Sequence, residues 1–141
     1  MAAIQRQERP AAADRWWLPG AALLAVGFGL LTLWAGGNVL FGGEDARAAA
    51  GHYVPFVVGF NFAAGFGYVL AGIGLWWRQR WAAWLALAIA VATALVFAAF
   101  GLHVYSGGAY ELRTVIAMSF RTALWAAIAL LAWRRLIWGN A

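Results

Sequence analysis

Residues 112–133, LRTVIAMSFRTALWAAIALLAW, decide how many times the chain crosses a membrane. A helical span needs about 20 predominantly apolar residues, and this stretch reaches that length only if Arg121 is taken inside the bilayer. Split at Arg121, the pieces 114–120 and 122–133 are each too short to cross. Accepting the arginine makes the stretch a fourth span. The other three follow from the charges, because none occurs between Arg15 and Glu44, between Arg47 and Arg78, or between Arg80 and Glu111. The sequence therefore predicts an all-α integral membrane protein. Its expected form is an antiparallel four-transmembrane-helix bundle with spans at about 16–41, 52–77, 81–105 and 112–133.

The arginines support the same count. Short cytoplasmic loops are enriched in Arg and Lys. With four spans, Arg6, Arg9 and Arg15, then Arg78 and Arg80, then Arg134 and Arg135 all fall on one side. The opposite side keeps Arg47 and Arg113, set against Glu44, Asp45 and Glu111. Three spans would carry the Arg134–Arg135 pair across, so the pattern favours four and places both termini in the cytoplasm. Residues 1–15 are then a cytoplasmic tail, 16–138 a single transmembrane domain and 139–141 the C-terminal end. The apolar run after Arg15 is longer than the roughly 7–15 residues of a signal-peptide core and ends in no A-x-A site. It is expected to stay in place as the first span.

Composition agrees. Of 141 residues, 65% are hydrophobic and 11% charged, and the mean hydropathy is +0.75. Ordinary domains carry about a quarter charged residues. The deficit excludes disordered linkers and nucleic-acid partners despite a pI near 10.8. All 10 basic residues are arginine, which hints at a GC-rich genome; the expected location is the bacterial cytoplasmic (inner) membrane. The absence of cysteine excludes disulfides, thiolate metal sites, iron–sulfur ligation and thiol redox chemistry. Of 10 tryptophans, all but Trp34 and Trp125 lie at the expected cytoplasmic ends of the spans, as an interfacial belt.

Packing within lipid relies on small residues at every fourth position. The second span offers Gly59, Ala63, Gly67 and Ala71, with His52 one heptad earlier on the same stripe, and the first offers Ala21, Ala25 and Gly29. These two spans are expected to meet. The outer loops share a faint pattern, Gly42-Gly43-Glu44 with Arg47 and Gly107-Gly108 with Glu111 and Arg113, which reads as coincidence in glycine-rich loops.

Polar groups in a span are costly and face a bundle interior or a water-filled cavity. Asn38, Asn61 and Arg121 lie at depths of roughly 7, 13 and 12 Å from the outer end, which describes a polar vestibule open to the outside. The cytoplasmic half offers little beyond Thr32, Thr93 and Thr122, which can bond back to their own helix. An arginine at mid-span costs about 2.5–3.5 kcal/mol to insert, so Arg121 needs compensation. One reading is structural, with Asn61, Asn38 and carbonyls as partners. The other has Arg121, Asn61 and Asn38 bind an anionic or carbonyl-bearing ligand, with Trp125 stacked on the guanidinium from one turn away.

His52 and His103 form a second constellation at the same outer level. With Glu111, or with Glu44 or Asp45, they could ligate a divalent metal. As a pair they could instead ligate haem b, although covalent haem is excluded because no C-x-x-C-H occurs. There is no P-loop, G-x-S-x-G, H-E-x-x-H or intramembrane carboxylate pair. The leading expectation is a non-catalytic accessory subunit or ligand-binding bundle, partnered by the lipid bilayer and by a membrane complex or by copies of itself. A redox protein using the two histidines and a small anion transporter or channel are the alternatives.

Overall fold

The computed structural model describes residues 12–140, so Arg6 and Arg9 and the expected tail up to residue 11 lie outside the described residues, as does residue 141. The elements are α1 (Ala12–Phe41), α2 (Gly43–Ala50), α3 (Pro55–Trp76), α4 (Arg80–Tyr105) and α5 (Leu112–Ala132), with a π turn over Trp133–Ile137 and a 3-10 turn over Trp138–Asn140. Among the described residues there is no strand. Four helices, over Arg15–Phe41, Pro55–Trp76, Arg80–Tyr105 and Leu112–Ile137, are long and apolar enough to cross a bilayer, the build of a multi-pass helical membrane protein. Arg121 lies inside the last of them.

The boundaries follow from backbone chemistry. Gly43 and Gly51 take φ of +85° and +69°, a left-handed conformation open mainly to glycine, and they delimit α2. The short helix was expected as loop. Alanine at 46 and 48–50 and acids in its first turn, where the helix dipole favours them, turn residues 43–50 into helix instead. The other outer connection stays a turn, so the two do not repeat one another. Pro55 opens α3, its missing N–H being one the first turn leaves unbonded anyway. His52 therefore precedes the helix and is not on its stripe.

α3 and α4 end alike. Gln79 N–H bonds Gly74 O and Arg78 N–H bonds Leu75 O, while Gly108 N–H bonds His103 O and Gly107 N–H bonds Val104 O. Both are Schellman motifs, with the left-handed position taken by Arg78 (φ 55°) in one and Gly107 (φ 84°) in the other.

α1 packs most extensively on α3, α3 on α4 and α4 on α5, while α1 scarcely touches α5. The expected pairing of the first two spans is present, with Gly29 of the expected α1 set in the contact and Ala25 and Ala71 fully buried, but the closest approach on α3 uses other residues. A Cβ on Gly29 would lie 2.9 Å from Gly65 O, and one on Gly72 would lie 2.8 Å from Ala22 O. The backbones thus approach through Gly29, Gly65 and Gly72. Of the expected stripe, Gly59 has nothing near it, Ala63 is exposed and Gly67 faces Ile89 of α4. The core forms two clusters. One, toward the tryptophan-bearing end, joins Leu18, Ala25, Tyr68, Leu75, Ala86, Trp125 and Ala132; the other, near α2, joins Val54, Val57, Phe100 and Met118.

Candidate functional site

Arg121 projects from α5 toward α1 and α3 at about 13 Å along the helix from Leu112. Its Nη1 donates to Thr32 Oγ1 at 3.0 Å and lies 3.5 Å from the Tyr68 hydroxyl. The guanidinium carbon sits 4.9 Å from the Phe28 ring centre and 6.0 Å from that of Tyr68. An arginine keeps its charge in proteins, and among the described residues no carboxylate pairs with this one. Hydroxyls and aromatic faces carry its compensation. Its Nε–H is buried without a hydrogen-bond partner.

The aromatic groups form a column across the bundle. Phe120 meets Phe28 edge-on at 5.7 Å, Phe28 stacks on Tyr68 at 5.8 Å, and Tyr68 meets Trp125 at 4.7 Å. Trp125 thus packs on Tyr68, and the rings that the Arg121 guanidinium lies over are those of Phe28 and Tyr68. Trp125 is fully buried, with Nε1–H unpartnered. Trp34, the other tryptophan expected at depth, is 68% exposed on the outside of the bundle.

Asn61 faces Arg121 across a cavity of about 160 Å³ whose walls include Thr32, Gly36 and Val58. Its Nδ2 donates weakly to Met118 Sδ at 3.8 Å, and its Oδ1 is buried without a partner. Two residues, each with one buried polar atom unpartnered, thus line one small space. Because α3 begins at Pro55, Asn61 lies only about 9 Å along it, shallower than its distance from His52 suggested. The cavity adjoins a larger one of about 610 Å³ that shares Ala35, Val39, Val58 and Asn61, includes Asn38 and Arg113, and has Ala46, Ala49 and Ala50 of α2 along one wall. Asn38 is exposed and lines only the larger space. No family model, curated protein or solved structure matches this chain.

Of the histidine constellation, the structure brings His52 and Glu111 together and gives His103 a different partner. His52 donates its backbone N–H to Glu111 Oε1 at 2.8 Å, with Nδ1 3.5 Å from the same oxygen. The ring of His103 instead donates from Nε2 to the Ala109 carbonyl at 3.0 Å, since a carbonyl can only accept, and packs edge-on to Phe56. Among the described residues no three His, Asp or Glu side chains gather closely enough to hold a metal. The His52 N–H holds the Glu111 carboxyl below its ordinary value, helped by the nearby Arg113 charge and opposed by partial burial.

The remaining arginines at this end serve helix termini. Arg113 donates from Nη2 to Ala49 O and Ala50 O at 3.0 and 2.8 Å, and Arg47 donates to Val39 O and Leu40 O at 3.3 and 3.2 Å. Each therefore caps the carbonyl end of a helix, where the dipole favours a cation. Glu44 and Asp45, expected to balance them, sit exposed in the first turn of α2.

Thr32, Tyr68 and Phe28 are the site residues that sequence reasoning missed. Thr122 does bond back to Met118 O as expected, whereas Thr32 is used by Arg121 and Thr93 Oγ1 has no partner. A usable signal existed, since Tyr68 is the one tyrosine well inside a span and a buried phenol seeks a partner.

Proposed function

We propose that this chain is a non-catalytic membrane protein, with both termini in the cytoplasm of a bacterial cell, that binds a small anionic or carbonyl-bearing ligand at Arg121. The observation that carries the reading is a mid-span guanidinium with no carboxylate partner among the described residues, on a residue that lines a cavity together with Asn61, each of the two keeping one buried polar atom, Arg121 Nε and Asn61 Oδ1, without a hydrogen-bond partner. A charge in low dielectric is stabilised most by an opposite charge or a strong acceptor. A carboxylic acid or an amide offers both an acceptor for Nε–H and, when protonated or primary, a donor for Oδ1. At about 30 Å³ per water, 160 Å³ holds the share of roughly five waters, which suits a compact head group. The larger adjoining space would take the remainder of the ligand. Orientation is supported by the seven arginines on the side of the termini.

The redox reading draws less support, because the His103 ring bonds the Ala109 carbonyl while the exposed His52 ring lies beside Glu111, and among the described residues no third ligand gathers with either. The test is calorimetric titration of the protein in nanodiscs with benzoate and with benzamide. Saturable binding that is lost in Arg121→Leu and weakened in Asn61→Leu, with both variants still folded, supports the reading. Equal binding by the wild type and Arg121→Leu sinks it.

A further inference from the structure

The seam between α1 and α5 opens into a second groove at the tryptophan-bearing end, separate from the Arg121 cavity. Its volume is about 690 Å³, and its walls are Trp17, Gly20 and Leu24 of α1 and Leu124, Ile128 and Leu131 of α5. Such a volume lies within the range of about 300–1,000 Å³ usual for ligand sites. The walls are apolar, yet the mouth is not. Arg135 borders it, and Arg15 lies 6.0 Å from the ring centre of Trp16, which also lines the groove.

From this geometry we infer that the groove seats one acyl chain of an anionic phospholipid, whose phosphate meets the guanidinium groups of Arg135 and Arg15. Charge complementarity names the occupant. The guanidinium of Arg135 at the rim, with that of Arg15 over the Trp16 ring, beside a Trp16–Trp17 pair of the kind that settles at the membrane interface, matches a phosphodiester. The slot beneath them matches hydrocarbon. A zwitterionic lipid supplies the same chain but offsets its phosphate with a cation, and a partner helix would bring no charge to the mouth. The lipid completes the bundle: α1 and α5 scarcely touch, and between Trp17 and Leu24 the chain supplies the packing atoms that a neighbouring helix would otherwise provide.

The inference is independent of the Arg121 ligand and is tested separately. Delipidated protein is titrated with phosphatidylglycerol or phosphatidylcholine of identical acyl chains, and bound lipid is counted by native mass spectrometry while thermal unfolding is followed in parallel. One phosphatidylglycerol should be retained preferentially and should raise the melting temperature more than phosphatidylcholine does. Arg135→Gln should lower that preference about fivefold, the equivalent of one arginine near a charged surface. Gly20→Leu sends a side chain into the groove from a position whose Cβ would meet nothing within 4 Å. It should abolish the lipid-induced shift while the protein stays folded. Equal retention of the two lipids, an unchanged preference in Arg135→Gln, a lipid shift that survives Gly20→Leu, or a groove occupied by a second copy of the chain at dimer mass would each overturn the inference.

Discussion

α1 meets α3 and α5 in opposite ways. Against α3 the backbones close through Gly29, Gly65 and Gly72, so that a single added methyl would run into a carbonyl. Against α5 there is a seam with a cavity at Arg121 and a groove at the tryptophan end, bridged by the Arg121–Thr32 hydrogen bond and the Phe28–Phe120 contact. Helix pairs in lipid are held by close packing, so the first interface provides the rigidity and the second leaves room. A bundle that needed only to be stable could zip both. Arg121 and Asn61, which hold two of the unpartnered buried polar atoms, Nε and Oδ1, line the open one.

The largest expected effect separates the two interfaces with one kind of substitution. Gly72→Ala places a methyl 2.6 Å from Val26 Cγ2 and 2.8 Å from Ala22 O, and overpacking of this kind costs about 1–3 kcal/mol. Gly20→Ala, on the open seam, meets nothing within 4 Å and should instead gain about 0.5–1 kcal/mol from reduced backbone freedom in the unfolded chain. Unfolding curves in one detergent measure both, and like signs would show that the seam is closed. A middling effect is expected for Thr32→Val, which removes the acceptor of Arg121 Nη1 at about 1 kcal/mol, the scale of interhelical hydrogen bonds in membranes. Because this bond bridges the seam, the loss should appear as faster hydrogen exchange in α1 near Thr32, with the α1–α3 contact unaffected.

The smallest effect lies at the α2 end. The carboxyl of Glu111 is held below its ordinary value of 4.5, chiefly by the His52 N–H. A group with a lowered pKa adds stability that is complete above the unfolded value and is lost as the pH falls through the lower folded value. Mild acidification to below 4.5 should therefore loosen the junction between α2 and α5, and Glu111→Gln should remove that dependence. Exchange at the His52 amide reads it. A pH response of equal size in the Glu111→Gln protein would reassign it to another group.

The spans were legible because charge-free windows in a chain this apolar admit one length of helix, and Arg121 was legible as a residue in need of an explanation. Its partners were not. Which side chains meet depends on the rotation of each helix about its axis, and uniformly apolar spans carry no amphipathic stripe from which that rotation can be read. The same gap misplaced the α3 stripe by pointing to Gly59 and Gly67, and it set Trp125 on the arginine, whose ring contacts are Phe28 and Tyr68. The helix α2 was hidden because glycines at 42, 43 and 51 read as loop, although the left-handed turns at Gly43 and Gly51 are what bound a helix there. The local partners of the two histidines were not legible, since both were placed by level alone, whereas the His52 backbone bonds Glu111 and the His103 ring bonds the Ala109 carbonyl.

The central claim is that Arg121 keeps a donor free for a ligand from outside the chain. Nitrogen-15 spectra of arginine-labelled protein in nanodiscs address it directly, with Arg121→Lys assigning the signal. Benzoate should shift the Arg121 Nε–H saturably and slow its exchange while the interfacial arginines stay in place. An Arg121 signal that does not move at saturating benzoate, or that moves only in step with every other arginine, would contradict the account.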